Sequence, residues 1–449
     1  MGKIDDFSLS YELLRCLYFR WAFNHVYYKN HLVIGEENLP HNRPVILAPN
    51  HQNTLLDALV FVSILKEQPV FLARQDVFKP GLISRILTWL KIMPVYRIRD
   101  GFESLSKNEE IFRKSAEVLW NNHILCLMPE GNHGNRRHLR PLVKGLFRIA
   151  MMAQEKYGTQ PGVVIVPVGL EYSHYYHIQS TFIVNFRPPI EVNEYYELYR
   201  NDPAKALLAL REKLAGEMSQ AMIDIRNQTW YETIYFLQQI LPEALKGKRL
   251  RSRNELKEKF HASREWVRKL DKLAELNPGT MEKLHSLAQE YQQKLSCLGL
   301  RDWLFIRPQL NLVMLASEGL LWLLLLPFFL FGAINLFPLY ALANFSTKNI
   351  KDKQFYGAVM FTVAWLTAPL YALLLFTLVC LFARPSVAAI YLAAVFISAF
   401  FTMKYFIAVK KWLGKIRYFY FHAVHQPVFT EAMELRNRIL EIIKQTEKG

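Results

Sequence analysis

The chain has 449 residues, more than the ~100 to 200 of an ordinary domain, so we expect two or three folding units. Its formal charge of +16 indicates an anionic partner: nucleic acid, an anionic membrane surface or a phosphorylated substrate. Its four cysteines are far apart and form no CxxC pair, which argues against a disulfide framework or a zinc site and favours a reducing cytoplasm.

Residues 1–30 lack the apolar run and small-residue cleavage site of a secretory signal, so we expect the part that follows to stay in the cytoplasm. Residues 8–30 mix apolar and basic side chains, a composition typical of an amphipathic helix. Such a helix could lie on a bilayer or pack on its own domain, and the sequence favours neither.

Residues 31–230 alternate short β-branched runs with longer helical stretches, which predicts an α/β domain. The strand candidates are PVILAP, PVFLAR, ILCLMP, GVVIVPVGL and TFIVNF. The helix candidates are TLLDALVFVSILKE, ESLSKNEEIFRKSAEVLWNN and LVKGLFRIAMMAQEKYG. Ligands of open α/β sheets bind beyond the carboxyl ends of the strands, so a site is expected in the polar segments that follow them.

Residues 231–305 are charged and helical, with a dense basic run. Interspersed acids at helical spacing favour a solvated helix face over a dedicated binding patch, although the position beside an apolar region also fits contact with anionic lipid. Residues 306–415 form a predicted all-α transmembrane region, and 416–449 a cytoplasmic amphipathic tail.

The transmembrane region contains three apolar stretches, near 312–342, 356–382 and 387–409. The second and third each supply the ~20 apolar residues that cross a bilayer. Basic residues follow the first stretch at Lys351 and the third at 410–417, while the link between the last two carries only Arg384. The positive-inside rule therefore favours a first stretch that forms a hairpin broken at Pro338, with every basic cluster inside, over one that crosses once.

The segment PVILAPNHQNTLLDALV contains a predicted buried strand that ends at Asn50. His51 comes directly after the strand, and Asp57 follows six positions later. Six residues of continuous helix turn a side chain by about 240°, so His51 must lie in the turn before the helix for the two to meet. In such a pair the carboxylate orients the imidazole, which takes a proton from an attacking alcohol. Taken alone, this spacing would more often be structural, and three further segments favour chemistry.

In MPVYRIRDG, Arg97 and Arg99 alternate along a predicted strand and project from one face, where guanidinium groups can bind phosphate. A solvated strand face is the alternative. In VIVPVGLEY, an apolar strand with Pro167 at its exit is a predicted wall for substrate.

In LCLMPEGNHGNRRHLRPLVKG, Glu130 and Gly131 stand at a strand end, so we expect Glu130 at the mouth of the site. The glycines of this segment are too irregularly spaced for a dinucleotide-binding loop or a P-loop. A basic cluster follows that could hold the phosphate of an acceptor or of coenzyme A: Arg136, Arg137, Arg140 and Lys144.

Taken in order, the four segments resemble the glycerophospholipid acyltransferase family, which includes lysophosphatidate and glycerol-3-phosphate acyltransferases. The resemblance covers roughly residues 30–230 and implies a mixed sheet flanked by helices. The positions that match the family's blocks are Asn50, His51 and Asp57, then Arg97 with Arg99 nearby, then Met128, Pro129, Glu130 and Gly131, and finally Val166 and Pro167.

The sequence departs from the family pattern in the first and third blocks. Five residues separate His51 from Asp57 instead of four, and Leu56 occupies the usual position of the Asp. A longer turn can accommodate one extra residue, so we assign the role to Asp57. Asn132 and His133 replace the usual Thr-Arg.

The resemblance implies that His51 deprotonates an acceptor hydroxyl, which attacks the thioester of acyl-CoA or acyl carrier protein. It implies neither a metal nor a bound cofactor. The expected acceptor is 1-acyl-glycerol-3-phosphate in phospholipid biosynthesis, because a membrane anchor favours an acceptor in the bilayer; glycerol-3-phosphate and a lyso-aminolipid are alternatives. The residues expected to bind substrate are Asn50, Arg97, Arg99, Glu130, Gly131, Arg137 and Lys144.

A basic membrane scaffold without chemistry is an alternative of another class. It would explain the positive charge, but it leaves the His, Asp, Arg and Glu-Gly segments without a role. We expect membrane lipids as partners and no nucleic acid, since the chain contains no recognised RNA- or DNA-binding module.

Overall fold

The computed structural model describes residues 4–75, 78, 81–95, 103–250, 252–306 and 310–447. They fall into two compact units, the first of which holds Met1–Asp224 together with Asn349–Phe361. The second holds Ile225–Lys348 and Thr362–Gly449. The chain therefore leaves the first unit at Asp224 and comes back to it for one short stretch, Asn349–Phe361, which we call the return segment.

The first unit begins with the helix α1 (Leu9–Leu13), continued by π-helical turns at Leu14–Phe19 and Ala22–Tyr27. The Arg15 side chain is fully buried and donates hydrogen bonds to the main-chain oxygens of residues 65, 66 and 67, at 2.6 to 3.0 Å. These bonds fasten the helical segment to its own domain, which is one of the two alternatives left by the sequence.

The same helical segment also keeps an apolar face in solvent. Leu9, Leu13 and Leu17, spaced four residues apart, are 63%, 50% and 75% exposed. Residues at this spacing lie on one side of a helix. The segment therefore combines a docked face with an apolar face available to lipid.

A sheet forms the centre of the first unit and contains, in the described part of the chain, eight strands in the order β1-β7-β6-β2-β5-β3-β4, with β8 paired to β6. The pairs β2/β6, β2/β5, β3/β5, β3/β4 and β1/β7 are parallel, whereas β6 is antiparallel to β7 and β8. The sheet is mixed, as predicted. Its strands are β1 (Tyr28–Ile34), β2 (Val45–Pro49), β3 (Val70–Arg74), β4 (Ile92–Val95), β5 (Ile124–Cys126), β6 (Val164–Tyr172), β7 (Ser180–Phe186) and β8 (Ile190–Glu191).

The helices of the first unit flank this sheet. Ile46 of β2, Ala116, Leu146 and Leu210 are completely buried in one apolar core formed by strands and helices together. All five strand candidates and all three helix candidates of the sequence are observed. The helices are α2 (Leu55–Ile64), α3 (Leu82–Trp89), α4 (Glu103–Trp120), α5 (Gly145–Gln154), α6 (Tyr196–Asn201) and α7 (Pro203–Ala221).

The second unit begins with three helices, α8 (Tyr231–Lys246), α9 (Arg253–Leu276) and α10 (Pro278–Leu298). The basic run lies largely in α9, which buries apolar residues such as Val267 on one face and leaves its charges on the other. This is the solvated helical face favoured by the sequence.

Three long apolar helices follow: α11 (Leu312–Phe345), α12 (Phe355–Cys380) and α13 (Pro385–Ala423). Within the described ranges these are the helices long and apolar enough to cross a membrane. The predicted break at Pro338 is wrong, because α11 continues through it. The amphipathic helix α14 (Pro427–Thr446) ends the described part of the chain.

Helices α11 and α13 run antiparallel. Trp412 Nε1 donates to the carbonyl oxygen of Leu315 at 2.9 Å, near the start of α11 and the end of α13. Further along α11, the Tyr391 hydroxyl donates to Asn335 Oδ1 at 2.5 Å. The start of α11 therefore lies beside the end of α13.

Candidate active site

His51 lies in the turn between β2 and α2, and Asp57 lies in the first turn of α2. His51 Nδ1 is 2.8 Å from Asp57 Oδ2; the imidazole is 19% exposed and the carboxylate is fully buried. An ionised carboxylate can only accept, so Nδ1 is the donor and Nε2 of the neutral ring is unprotonated. The pair presents to solvent a nitrogen able to take a proton.

Asp57 accepts from three further groups. Its Oδ2 also receives the main-chain N–H of Gln52 at 2.9 Å and of Asn53 at 2.7 Å, and its Oδ1 receives the Tyr172 hydroxyl at 2.6 Å. Burial, followed by the charge of Asp57, raises the pKa of Tyr172 well above its ordinary value, so this hydroxyl remains a donor. Hydrogen bonds of this kind offset the cost of burying a carboxylate.

The turn accommodates the extra residue between His51 and Asp57 at Thr54. Thr54 has φ +50° and ψ −128°, a conformation that residues with a Cβ rarely adopt. Leu56, at the usual position of the family's Asp, is completely buried. Asp57 is therefore the residue that meets His51.

Asn50 fixes the strand end that precedes His51. Its Nδ2 donates to the Leu170 carbonyl at 3.1 Å, and its Oδ1 accepts the Leu170 N–H at 2.6 Å. The side chain is completely buried, so it offers no surface to substrate. Asn50 was predicted to contact substrate, but in the structure its side chain links the end of β2 to β6 by hydrogen bonds.

Glu130 holds the loop after β5 against the His51 turn. Its Oε1 accepts the His51 main-chain N–H at 2.7 Å, and its Oε2 accepts Arg140 Nε at 2.7 Å. Burial raises the pKa of Glu130, while Arg140 and the His51 N–H act in the opposite direction. Because both oxygens are bonded and the side chain is only 2% exposed, Glu130 supports His51 from behind instead of standing at the mouth of the site.

Gly131 makes the turn that follows Glu130 possible. It has φ +67°, and a Cβ at this position would lie 3.1 Å from Val143. Any other residue would be strained here. Gly131 is exposed, so its main chain remains available to a substrate.

The predicted basic cluster does not act as one surface. Arg137 is buried, pairs with Glu171 at 2.9 Å and donates to the Tyr172 carbonyl at 2.7 Å, so its predicted substrate contact is not offered. Arg140 is engaged by Glu130. Lys144 is exposed and stays a candidate for substrate phosphate. Arg97 and Arg99 lie outside the described residues.

Two contacts at the site involve residues that the sequence did not suggest. One is the Tyr172 hydroxyl on Asp57. The other is Asp352 of the return segment, whose Oδ2 is 2.9 Å from His133 Nε2 although the residues are 219 positions apart. The His133 ring in turn lies 5.8 Å from the His51 ring. Asp352 lies outside the resemblance, and no local pattern connects it to His133.

The site stands at the carboxyl ends of β2, β5 and β6, which are neighbouring parallel strands. It combines an oriented imidazole with a buried carboxylate, an arrangement suited to general-base activation of a hydroxyl. In the ranges that the structure describes, no three His, Cys, Asp or Glu side chains are grouped to hold a metal ion.

Comparison with known proteins specifies the family. Residues 31–171 match the family model described as Acyltransferase. That range contains His51, Asp57, Glu130 and Arg140, whose contacts build the site. The resemblance found in the four segments is therefore confirmed for residues 31–171.

The chain is also similar in sequence to two curated proteins that are named as acyltransferases. The chain is 29% identical over 136 residues to glycerol-3-phosphate O-acyltransferase 1 of Saccharomyces cerevisiae, a match covering 29% of this chain and 17% of that protein. It is 25% identical over 177 residues to human 1-acyl-sn-glycerol-3-phosphate acyltransferase beta, covering 38% and 58%. The chain thus spans less than two thirds of either relative.

A solved structure is also similar in part. The 1-acyl-sn-glycerophosphate acyltransferase of Thermotoga maritima is 18% identical, with 47% of this chain and 78% of that chain covered and a TM-score of 0.32. A similarity of this size bears on neither the fold nor the site described above.

Proposed function

We propose that the protein is a membrane-associated O-acyltransferase that moves a fatty acyl group from a thioester donor to a glycerol-phosphate acceptor. The observation that carries the proposal is the 2.8 Å contact between His51 Nδ1 and the buried Asp57, within the part of the chain that matches the acyltransferase family. The donor is acyl-CoA or acyl carrier protein, and we propose that no other cofactor takes part.

In the proposed reaction His51 Nε2 takes the proton of the acceptor hydroxyl as that oxygen attacks the thioester carbonyl. The tetrahedral intermediate collapses, the C–S bond breaks, and the imidazolium returns the proton to the leaving sulfur. Asp57 stabilises the imidazolium while it carries the proton. The acyl group passes directly to the acceptor, without an acyl-enzyme.

We propose 1-acyl-glycerol-3-phosphate as the acceptor, which would place the enzyme in phospholipid biosynthesis. Helix α12, one of the three helices able to cross a membrane, begins at Phe355 inside the first unit. The Phe355 ring packs 4.9 Å from that of His133, which lies beside His51. A base this close to the start of such a helix favours an acceptor that is already in the bilayer.

Glycerol-3-phosphate is the second candidate acceptor, because the name of the yeast relative gives it as that protein's substrate. We propose that Arg97, Arg99 and Lys144 contact phosphate groups of either substrate. We also propose that the catalytic unit faces the cytoplasm, with membrane lipids as partners, since the exposed leucines of the N-terminal helical segment and the basic clusters near the apolar helices suit an anionic inner leaflet.

The test is an acceptor panel with the purified full-length protein. Acyl-CoA and acyl carrier protein are each offered with 1-acyl-glycerol-3-phosphate, glycerol-3-phosphate or lysophosphatidylethanolamine, and the product is identified by mass. We expect ester formation with the first acceptor, in step with thiol release and absent in His51→Ala. Preference for glycerol-3-phosphate would support the second candidate, and no transfer to any acceptor would contradict the proposal.

A further inference from the structure

The return segment, Asn349–Phe361, is docked closely on the first unit. A Cβ at Gly357 would lie 2.7 Å from the Tyr27 hydroxyl and 3.3 Å from Leu56, so only glycine fits. Phe361 is 7% exposed, with ring centroids of Phe23 and Tyr27 at 5.3 and 5.1 Å. The first turns of α12 are therefore packed into the first unit, which contains His51.

The return segment also contacts both loops of the active site. Asp352 Oδ2 lies 2.9 Å from His133 Nε2 in the Glu130 loop, and Asp352 Oδ1 accepts the Gln354 N–H at 2.9 Å. The Gln354 carbonyl accepts the Thr54 hydroxyl at 3.4 Å, in the turn that carries His51. The hydrogen bonds from His133 and from the Gln354 N–H lower the pKa of Asp352, which keeps this carboxylate ionised.

His133 is held on three sides. Arg140 donates to its carbonyl oxygen at 2.6 Å, Asp352 bonds its Nε2, and Phe355 packs against its ring. Its ring meets that of His51 at 82°, and its side chain is 14% exposed, close to the 19% of His51. A substrate that reaches the His51 imidazole would therefore also come close to the His133 imidazole.

We propose that Asp352 is a positioning residue of the active site, which holds His133 beside His51 so that His133 binds the acceptor's phosphate. In 1-acyl-glycerol-3-phosphate the free hydroxyl and the phosphate lie on neighbouring carbons, a separation that two rings 5.8 Å apart can bridge. An imidazole whose Nε2 bonds a carboxylate can, in its protonated form, donate its Nδ1–H to a phosphate oxygen. The acceptor class rests on the proposed function; the contact between Asp352 and His133 does not.

The test compares Asp352→Asn, His133→Gln and the double variant in the full-length protein, with Glu110→Gln as the matched control. Glu110 is an exposed carboxylate of α4 that pairs with Lys114 at 2.7 Å. We expect Asp352→Asn to raise the acceptor KM roughly three- to fivefold, as for loss of a partly exposed ion pair, with little change in kcat or donor KM. The double variant should be no worse than His133→Gln, and Asp352→Glu should recover part of the loss.

An unchanged acceptor KM, or losses that add up in the double variant, would overturn the positioning role. A rise confined to the donor KM would overturn the assignment to the acceptor. If the wild-type protein acylates no glycerol-phosphate acceptor, the proposed function fails, and hydrogen exchange still decides the positioning role. Amides 131–134 should then exchange faster in Asp352→Asn than in the wild type or Glu110→Gln, and equal exchange would overturn the role.

Discussion

Tyr172 donates its hydroxyl to Oδ1 of Asp57 at 2.6 Å, and thereby leaves Oδ2 to orient His51 at 2.8 Å. Tyr172 ends β6 and is almost completely buried. The strand that forms one wall of the site thus also supports the partner of the proposed base.

We expect Tyr172→Phe to lower stability and to slow transfer only modestly. The carboxylate loses one of its four donors, and an underbonded buried charge costs about 1 to 3 kcal/mol, whereas His51 keeps its own contact. Thermal unfolding and kcat would be measured together. Tyr175→Phe is the control, since its hydroxyl bonds Gln52 at 2.7 Å and not Asp57; equal damage from both variants would deny Tyr172 a special role.

Replacing His51 by alanine should abolish transfer while the protein stays folded and membrane-bound. The general base contributes roughly 10² to 10⁴ in rate, and the partly exposed imidazole contributes little to the core. The measurement is the initial rate of product formation, with circular dichroism as the check on folding. Activity within about tenfold of wild type would remove His51 from the mechanism.

Asp57→Asn should be far more damaging than Asn53→Ala. An amide group at position 57 can neither stabilise an imidazolium nor accept all the donors that now converge on Asp57. The Asn53 side chain is buried and forms no hydrogen bond within the described part of the chain. Only its main-chain N–H reaches Asp57, and alanine retains it.

The rates of these two variants decide which residue orients His51. We expect a loss of about 10² or more for Asp57→Asn, because imidazolium stabilisation is removed. A greater loss of rate in Asn53→Ala than in Asp57→Asn would show that Asp57 does not orient His51.

The attachment of the N-terminal helical segment to the first unit should become less stable in acid. Burial alone would raise the pKa of Glu12, but hydrogen bonds from Arg15, Cys16 and Gln68 lower it to about 2 from an ordinary 4.5. A lowered carboxyl pKa stabilises the fold above pH 4.5, and this stability is lost as pH falls from there towards 2. Glu12→Gln should therefore be less stable than wild type at neutral pH, by about 1 kcal/mol for a partly exposed pair.

The measurement for Glu12→Gln is thermal unfolding at neutral pH and in acid, with Glu110→Gln as the control. The gap between wild type and Glu12→Gln should close in acid. A gap that persists unchanged below pH 4.5 would show that Glu12 acts through packing instead of charge.

The sequence predicted the local parts of the site and missed the distant ones. His51 and Asp57 are six positions apart, so a strand end and a helix start bring them together. Tyr172 is 115 positions from Asp57, and Asp352 is 219 positions from His133 in the same unit, so only the fold joins them. Asn50 and Arg137 were expected to bind substrate because their residue types suit it, but their partners, Leu170 and Glu171, belong to a distant strand.

The break predicted in α11 failed for a local reason. Proline removes one helical hydrogen bond and need not end a helix in an apolar setting when side chains satisfy the freed groups. Near Pro338, the Asn335 side chain donates to the Phe331 carbonyl at 2.9 Å, and the Tyr371 hydroxyl donates to the Asn335 carbonyl at 2.6 Å. The carbonyl that Pro338 leaves without its helical donor is that of Ile334, and these two donors bind carbonyls on either side of it.

The topology in the membrane stays a prediction, and two contacts now bear on it. Asp352 touches His133, so the loop after α11 lies on the catalytic side of any membrane that α11 enters. Helices α11 and α13 run antiparallel, because Leu315 contacts Trp412 and, further along α11, Asn335 contacts Tyr391. Three successive crossings would make the first and third helices parallel, so the antiparallel arrangement of α11 and α13 argues against successive crossings by α11, α12 and α13.

Cysteine labelling with an impermeant reagent in intact cells tests this topology. The exposed Cys16 and Cys297 and the half-buried Cys380 are first replaced, and single cysteines are then placed at the exposed positions 351, 384 and 425. If α11 does not cross, position 384 is outside and is labelled, while 351 and 425 are protected until the cells are opened. If α11 crosses once, the pattern reverses, with 351 and 425 labelled and 384 protected. The lysines after α11 and α13 oppose that reversal, because basic residues are retained on the cytoplasmic side. Labelling at 351 in intact cells would therefore contradict the proposal that the first unit, which includes the return segment, faces the cytoplasm.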